Sequence, residues 1–217
     1  MKPVLAFLFT LSCFAQYPDL SAFTWVQQEG ATLTQTGGRP PVLSFPNTGN
    51  KHEKMLLAPL PTPPYTVTLG VSINQTDFSK QVSATLMLRN SMTDKAIVLT
   101  DENEMAVTGF NVMCCKVFAG VRLSKTLNVD ADSIASTLFV TTGRLPTQRS
   151  WTRIVDDGTY RTFFTSQNDG FTWFQEFQEP SGSFTVPDEA GIAGYTLENS
   201  SFAGFSLTVW EFSVTSP

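Results

Sequence analysis

The chain has 217 residues, enough to bury the core of one sizeable domain. Charged residues make up only 15% and aromatics 12%, with 18 Phe and 4 Trp, a composition that suits strands covering one another and argues against a solvated helical protein. The formal net charge is −5 and Lys and Arg never gather beyond isolated pairs, so the basic footprint needed to neutralise phosphates is missing and nucleic acid is excluded as a partner.

Residues 1–16 stand apart. Lys2, the apolar run Val4 to Phe9 and Leu11 to Ala15, and Cys13-Phe14-Ala15 before Gln16 follow the pattern of a secretory signal. At about twelve apolar residues the run falls short of the roughly 20 that span a bilayer as a helix. The other reading is an apolar assembly arm that stays on the chain. Thr10 stands where a lipoprotein signal would carry an aliphatic residue, which speaks against lipidation at Cys13. Residues 17–217 are expected to form one domain.

Turn chemistry then recurs at the spacing of an antiparallel β protein. Phe23 to Val26 and Ala31 to Thr34 flank Glu29-Gly30 and predict a first hairpin. Loops at Gly37 to Pro41 and Asn47 to Asn50 bracket a strand at Val42 to Phe45, and the proline-rich stretch Pro59 to Pro64 is a connection. Tyr65, Val67, Leu69, Val71 and Ile73 alternate with Thr66, Thr68, Gly70 and Ser72, the clearest period-two signal in the chain. Val82 to Arg89, Ala96 to Thr100 and Val112 to Ala119 continue the series, and Asp101-Glu102-Asn103-Glu104 reads as a solvated turn.

Residues 149–177 predict a three-stranded meander. Arg149 to Asp156 and Thr159 to Ser166 meet at Asp157-Gly158, and Gln167 to Gly170 form the next turn. That register would stack Trp151, Phe164 and Trp173 across one face, with Arg153, Thr162 and Gln175 in the next row and Val155, Tyr160 and Phe177 in the third.

Chemistry-bearing clusters are few. Glycoside hydrolysis needs two carboxylates projecting from one strand into a groove, and acids at Asp101, Glu102 and Glu104 would scatter over both faces of a strand. The single histidine, His52, in a Gly- and Asn-flanked stretch, reads as an exposed loop residue and cannot build a His-rich metal site. Cys114 and Cys115 are adjacent, so a bridge between them would be strained, and buried strand thiols are the plainer reading. Asp156, Asp157, Asn168 and Asp169 carry oxygens that suit Ca2+, but tight turns require the same residues, so no metal and no cofactor is expected. Asn74-Gln75-Thr76 and Asn199-Ser200-Ser201 match glycosylation acceptors.

The run Trp151 to Arg161, followed by Phe164 to Ser166 and Asp169 to Trp173, resembles the C-terminal half of concanavalin-A-like lectin/glucanase jelly rolls. Gly191-Ile192-Ala193-Gly194 and the closing aromatic strand Phe205 to Phe212 are similar to that family's last strands. The opening Asp19 to Gln28, with Pro64 to Thr68 beyond it, resembles tailed-phage and prophage proteins of this fold. The resemblance implies an all-β, two-sheet antiparallel jelly-roll sandwich. The family's hydrolase signature, Glu-x-Asp-x-Glu, is not in the chain, so a glycoside hydrolase-like enzyme ranks last and no catalytic residue is assigned.

Aromatic faces stack on pyranose rings while Arg, Asn and Gln take hydroxyls, which makes Trp151, Arg153, Tyr160, Trp173 and Gln175 the candidate glycan groove, with Trp210 a further candidate aromatic. The expectation is a non-enzymatic virion protein of tail, fibre or capsid surface. Its partners would be other virion proteins, a host surface glycan and further copies of itself. The alternative is a secreted bacterial carbohydrate-binding protein released after Ala15.

Overall fold

The computed structural model describes residues 16–49, 52–74, 82–107, 115–129, 134–144, 149–196 and 204–216. The N-terminal segment 1–15 with Cys13, the Cys114 thiol and the acceptor motif at Asn199 lie outside them. Their regular structure consists of fourteen strands: β1 (Thr24–Val26), β2 (Thr32–Thr34), β3 (Val42–Pro46), β4 (Lys54–Pro59), β5 (Tyr65–Asn74), β6 (Val82–Arg89), β7 (Ala96–Val107), β8 (Cys115–Thr126), β9 (Ile134–Arg144), β10 (Ser150–Asp156), β11 (Tyr160–Ser166), β12 (Phe174–Pro180), β13 (Glu189–Thr196) and β14 (Gly204–Thr215). They form two seven-stranded sheets, ordered β1-β4-β13-β6-β7-β8-β9 and β12-β11-β10-β5-β14-β3-β2, with antiparallel pairing throughout.

The alternation in β5 shows why the sheets pack. Tyr65, Val67, Leu69 and Val71 are all buried in the core, while the residues between them face away from it. Ile154, Phe163, Leu207 and Val209 join them from the second sheet, and Leu56, Leu86, Leu99, Leu123 and Ile192 from the first. Each such side chain contributes about 1.5–3 kcal/mol on burial, which makes this interior the main source of stability. The first sheet is also buried on its other side, where Met55, Leu57, Met87, Val98 and Ala193 pack with Val129.

Four expectations are corrected. β1 and β2 do not form a hairpin: β1 pairs with β4 in the first sheet and β2 with β3 in the second. Left-handed backbone at Gln27, Glu29 and Gly30 turns the chain from one sheet to the other. Asp101 to Glu104 are not a turn but part of β7, where Asp101 pairs with Ala84 and Glu102 with Ser83, because the long pairing with β6 and β8 overrides local turn composition. His52 is half-buried at an isolated bridge rather than exposed in a loop.

The fourth correction concerns register. Asp156 pairs with Arg161, and the Asp157 amide donates to the Tyr160 carbonyl, so Gly158 and Thr159 are the turn residues. Gly158 has φ +89°, the left-handed geometry that the first central position of a type II′ turn demands. Trp151 therefore lies opposite Ser166 and Arg153 opposite Phe164, two residues from the expected alignment. A two-residue slip leaves every side chain of β10 and β11 on its predicted face. In β12 a bulge near Phe163/Phe164 changes the parity, and Phe177 turns to the core against Phe163 instead of joining Val155 and Tyr160.

A charged cluster lies between the sheets. Arg161 is 1% exposed; its Nε donates to Asp156 Oδ2 at 3.1 Å and its Nη1 to Glu179 Oε1 at 3.3 Å. Ser181 Oγ donates to Asp156 Oδ2 at 3.0 Å and Lys125 of the first sheet lies 2.6 Å from Glu179 Oε2, so the cluster ties the two sheets together. Burial beside Asp156 pushes the Tyr65 hydroxyl well above its usual range, and it remains a neutral donor. Replacing Arg161 with Met leaves Asp156, fully buried, without its cation; the expected loss is about 3–5 kcal/mol in urea denaturation, against at most about 1 kcal/mol for an exposed-pair control.

Candidate functional site

The outward face of the second sheet is organised by the register of β5, β10 and β14. Trp151 pairs with Gly70, and a Cβ on Gly70 would stand 2.7 Å from the indole, so the ring lies directly on the bare backbone. Two pairs further along, Arg153 lies opposite Thr68 and its Nε donates to Thr68 Oγ1 at 3.0 Å. In the other direction, Trp210 Nε1 donates to Ser72 Oγ at 2.7 Å; Trp210 occupies the β14 bulge between Val209 and Glu211. Thr68, Gly70 and Ser72 thus form a small-residue floor beneath Arg153, Trp151 and Trp210.

Two guanidinium groups complete this face. Arg153 lies 3.8 Å from the centroid of the Trp173 ring and Arg149 lies 4.0 Å from that of Trp210, both within the range of cation–π attraction. Gln175 is exposed and pairs with Phe164, which in turn pairs with Arg153, so Arg153, Trp173 and Gln175 are brought together. Beyond Trp210, the Tyr17 ring meets the indole edge-on at 6.3 Å and borders a cavity of about 460 Å3 lined by Gln35, Gly37 and Arg39.

Trp173 is presented by a loop with its own hydrogen bonds. Ser166 Oγ accepts from the Gly170 amide at 3.1 Å, Asn168 Oδ1 accepts from the Thr172 amide at 2.9 Å, and Asn168 Nδ2 donates to Thr172 Oγ1 at 3.0 Å. Asp169 in this loop accepts the Trp151 Nε1 proton at 3.3 Å. The loop therefore covers Trp151, which is 8% exposed, and displays Phe171, which is 87% exposed. Trp151 supports the site from below and Trp173 faces outward at intermediate exposure. Tyr160 shares the face but lies four residues from Phe164 along β11, roughly 13 Å at the usual rise per residue, so it is not part of the Arg153 group.

Sequence reasoning missed Arg149, Thr68 and Ser72. Arg149 precedes the strand, and the two hydroxyl residues looked like ordinary outward positions of β5. Their only signal was alternation, which put them on the face opposite the core.

The four residues considered for calcium are engaged otherwise. Asp156 belongs to the buried ion cluster, Asp157 accepts the amides of Thr159 and Tyr160, Asn168 closes its loop and Asp169 holds Trp151. The two Asp157 hydrogen bonds hold its carboxyl below the usual range. Among the described residues no group of three or more His, Cys, Asp or Glu is placed to hold a metal.

No protein-family model and no curated protein sequence matches the chain. Solved structures do. A protein of unknown function from Saccharomyces cerevisiae aligns over 92% of this chain and 99% of its own, with TM-score 0.58 and 14% identity. The exoplasmic/lumenal domain of VIP36, in a form with Ca2+ and Man3GlcNAc bound, aligns over 92% and 85%, with TM-score 0.53 and 10% identity. The CBM2 module of the evolved Dit of Lactobacillus casei BL23 phage J-1 aligns over 93% and 91%, with TM-score 0.50 and 14% identity.

The fold is a lectin-like jelly-roll sandwich. Identities this low establish the architecture and leave the chemistry to the side chains.

Within that architecture Gly70 is tightly constrained by the Trp151 ring. Gly70→Ala drives a methyl into the Trp151 ring and is expected to cost about 1–3 kcal/mol, with a lower Tm and a weaker aromatic near-UV circular dichroism signal, while Gly37→Ala, which has open space around it, changes neither.

Proposed function

We propose that this chain is a non-enzymatic carbohydrate-binding jelly roll of a tailed-phage particle, and that it holds a host-surface glycan on the outward face of its second sheet. The observation that carries the reading is the Arg153–Trp173 stack beside exposed Gln175: a fixed aromatic ring with hydrogen-bonding groups around it, the arrangement a sugar ring needs. Phe171, 87% exposed, extends the apolar surface at the same end.

Binding without catalysis suits the acids of this face. Glu211 accepts from Ser213 Oγ at 3.1 Å and Asp169 is committed to Trp151, whereas glycoside hydrolysis requires two carboxylates flanking one bond. The virion setting is supported by the resemblance at Asp19 to Gln28 and by the fold shared with the phage J-1 module. In that setting the chain's partners are neighbouring virion proteins, and its location is the outside of the particle.

Isothermal titration against neutral and acidic bacterial polysaccharides, preceded by a glycan array, tests the reading. Trp173→Ala is expected to weaken binding about tenfold or more with Tm unchanged within a few degrees, and no shortened product should form on prolonged incubation. A chain that binds no glycan, or a Trp173→Ala variant that binds as the parent does, would overturn it. Immunogold labelling of purified particles tests the virion assignment separately.

A further inference from the structure

Three arginines of the described residues are held by carboxylates. Arg89 is paired with Asp94 and Glu189, Arg161 with Asp156 and Glu179, and Arg149 lies 3.8 Å from Asp169. Arg153 differs. Among the described residues it has no carboxylate at ion-pair distance, and its hydrogen bond is the one from Nε to Thr68. One flat side of its guanidinium is taken by the Trp173 ring. Both Nη groups, a planar fork suited to a carboxylate or phosphate, are left without a protein acceptor.

Neither Nη group of Arg153 is a buried orphan, so the fork is open to solvent and to an incoming anion. Burial pushes the Arg153 guanidinium below its usual range, and Glu211 offsets this only through space. A partly desolvated cation held in one plane by an indole and a threonine is arranged to receive an anion. Arg149 lies on the same side of β10, four residues away or roughly 13 Å, stacked on Trp210. The face therefore presents two guanidinium–indole pairs in line. The net charge of −5 means that general attraction cannot supply this preference; it has to come from the local fork.

We infer that the glycan bound by this face is acidic, and that a carboxylate or phosphate of the polymer is seated on the Nη groups of Arg153. The inference rests on the carbohydrate-binding reading above and narrows its ligand class. Arg153 acts as a specificity-determining residue: the indole of Trp173 supplies contact with any sugar ring, and the guanidinium selects charge.

The full-length chain would be titrated calorimetrically with polygalacturonate, with the same polymer fully methyl-esterified, and with poly(glycerol phosphate). At least one of the two acidic polymers is expected to bind about tenfold or more tightly than the neutral ester, and which one binds separates carboxylate from phosphate recognition. Arg153→Gln should abolish the preference for the acidic polymer over the ester, lowering both affinities to the extent that the Trp173 ring is loosened, and Arg153→Lys should restore part of the preference. Equal affinity for acid and ester, unaltered by Arg153→Gln, would overturn the acidic specificity while the carbohydrate reading stands. Failure of all three polymers, alongside neutral ligands found on the array, would also overturn it. Failure of every glycan would overturn both.

Discussion

The pairing of β5 with β10 at the centre of the second sheet governs both sides of that sheet. Seven consecutive residue pairs, from Tyr65 with Asp156 to Val71 with Ser150, align the two strands. Their alternate residues, Val67, Leu69 and Ile154 among them, enter the core. The residues between, Thr68, Gly70 and Ser72, lie under Arg153, Trp151 and Trp210. A slip of one residue would bury the threonine and serine hydroxyls and expose the aliphatic side chains, so the hydrophobic effect that closes the sandwich also specifies the height and order of the outward groups.

Charge is divided between the two sides by the same alternation. Arg161, on the inward side of β11, is surrounded by Asp156 and Glu179 and reaches Lys125 of the other sheet through Glu179. Arg153, on the outward side of β10, has an indole and a threonine for neighbours. Two arginines on adjacent strands, eight positions apart, thus serve opposite ends: the inward one is neutralised locally and contributes to joining the sheets, and the outward one keeps its fork open. The difference lies in what the register places beside each of them.

Much of the architecture was legible in the sequence because period-two alternation survives errors of turn placement. Tyr65 to Ile73 announced β5 directly, and the meander of residues 149–177 was recognised in kind even though its first turn lies at Gly158-Thr159. What was not legible depends on contacts distant in sequence. Thr24 to Val26 pair with Met55 to Leu57 rather than with the neighbouring strand, and the acidic run in β7 is held by partners on both sides. Of the candidate residues chosen from residue type and alternation, Arg153, Trp173 and Gln175 lie together. Tyr160 lies too far along its strand, and the covering of Trp151 by the Asn168 loop could not be seen without the side-chain hydrogen bonds that shape it.

That loop has a kinetic consequence. Its Asn168 and Ser166 hydrogen bonds, the Asp169 contact to Trp151 and the stack of Arg153 on Trp173 hold the outward ring in place in the free protein. Little ordering entropy then remains to be lost on encounter, and association proceeds without waiting for rearrangement. On the proposed reading, ligands that fit this face well or poorly would arrive at similar rates and differ in how long they stay, and selectivity among related glycans would reside in residence time.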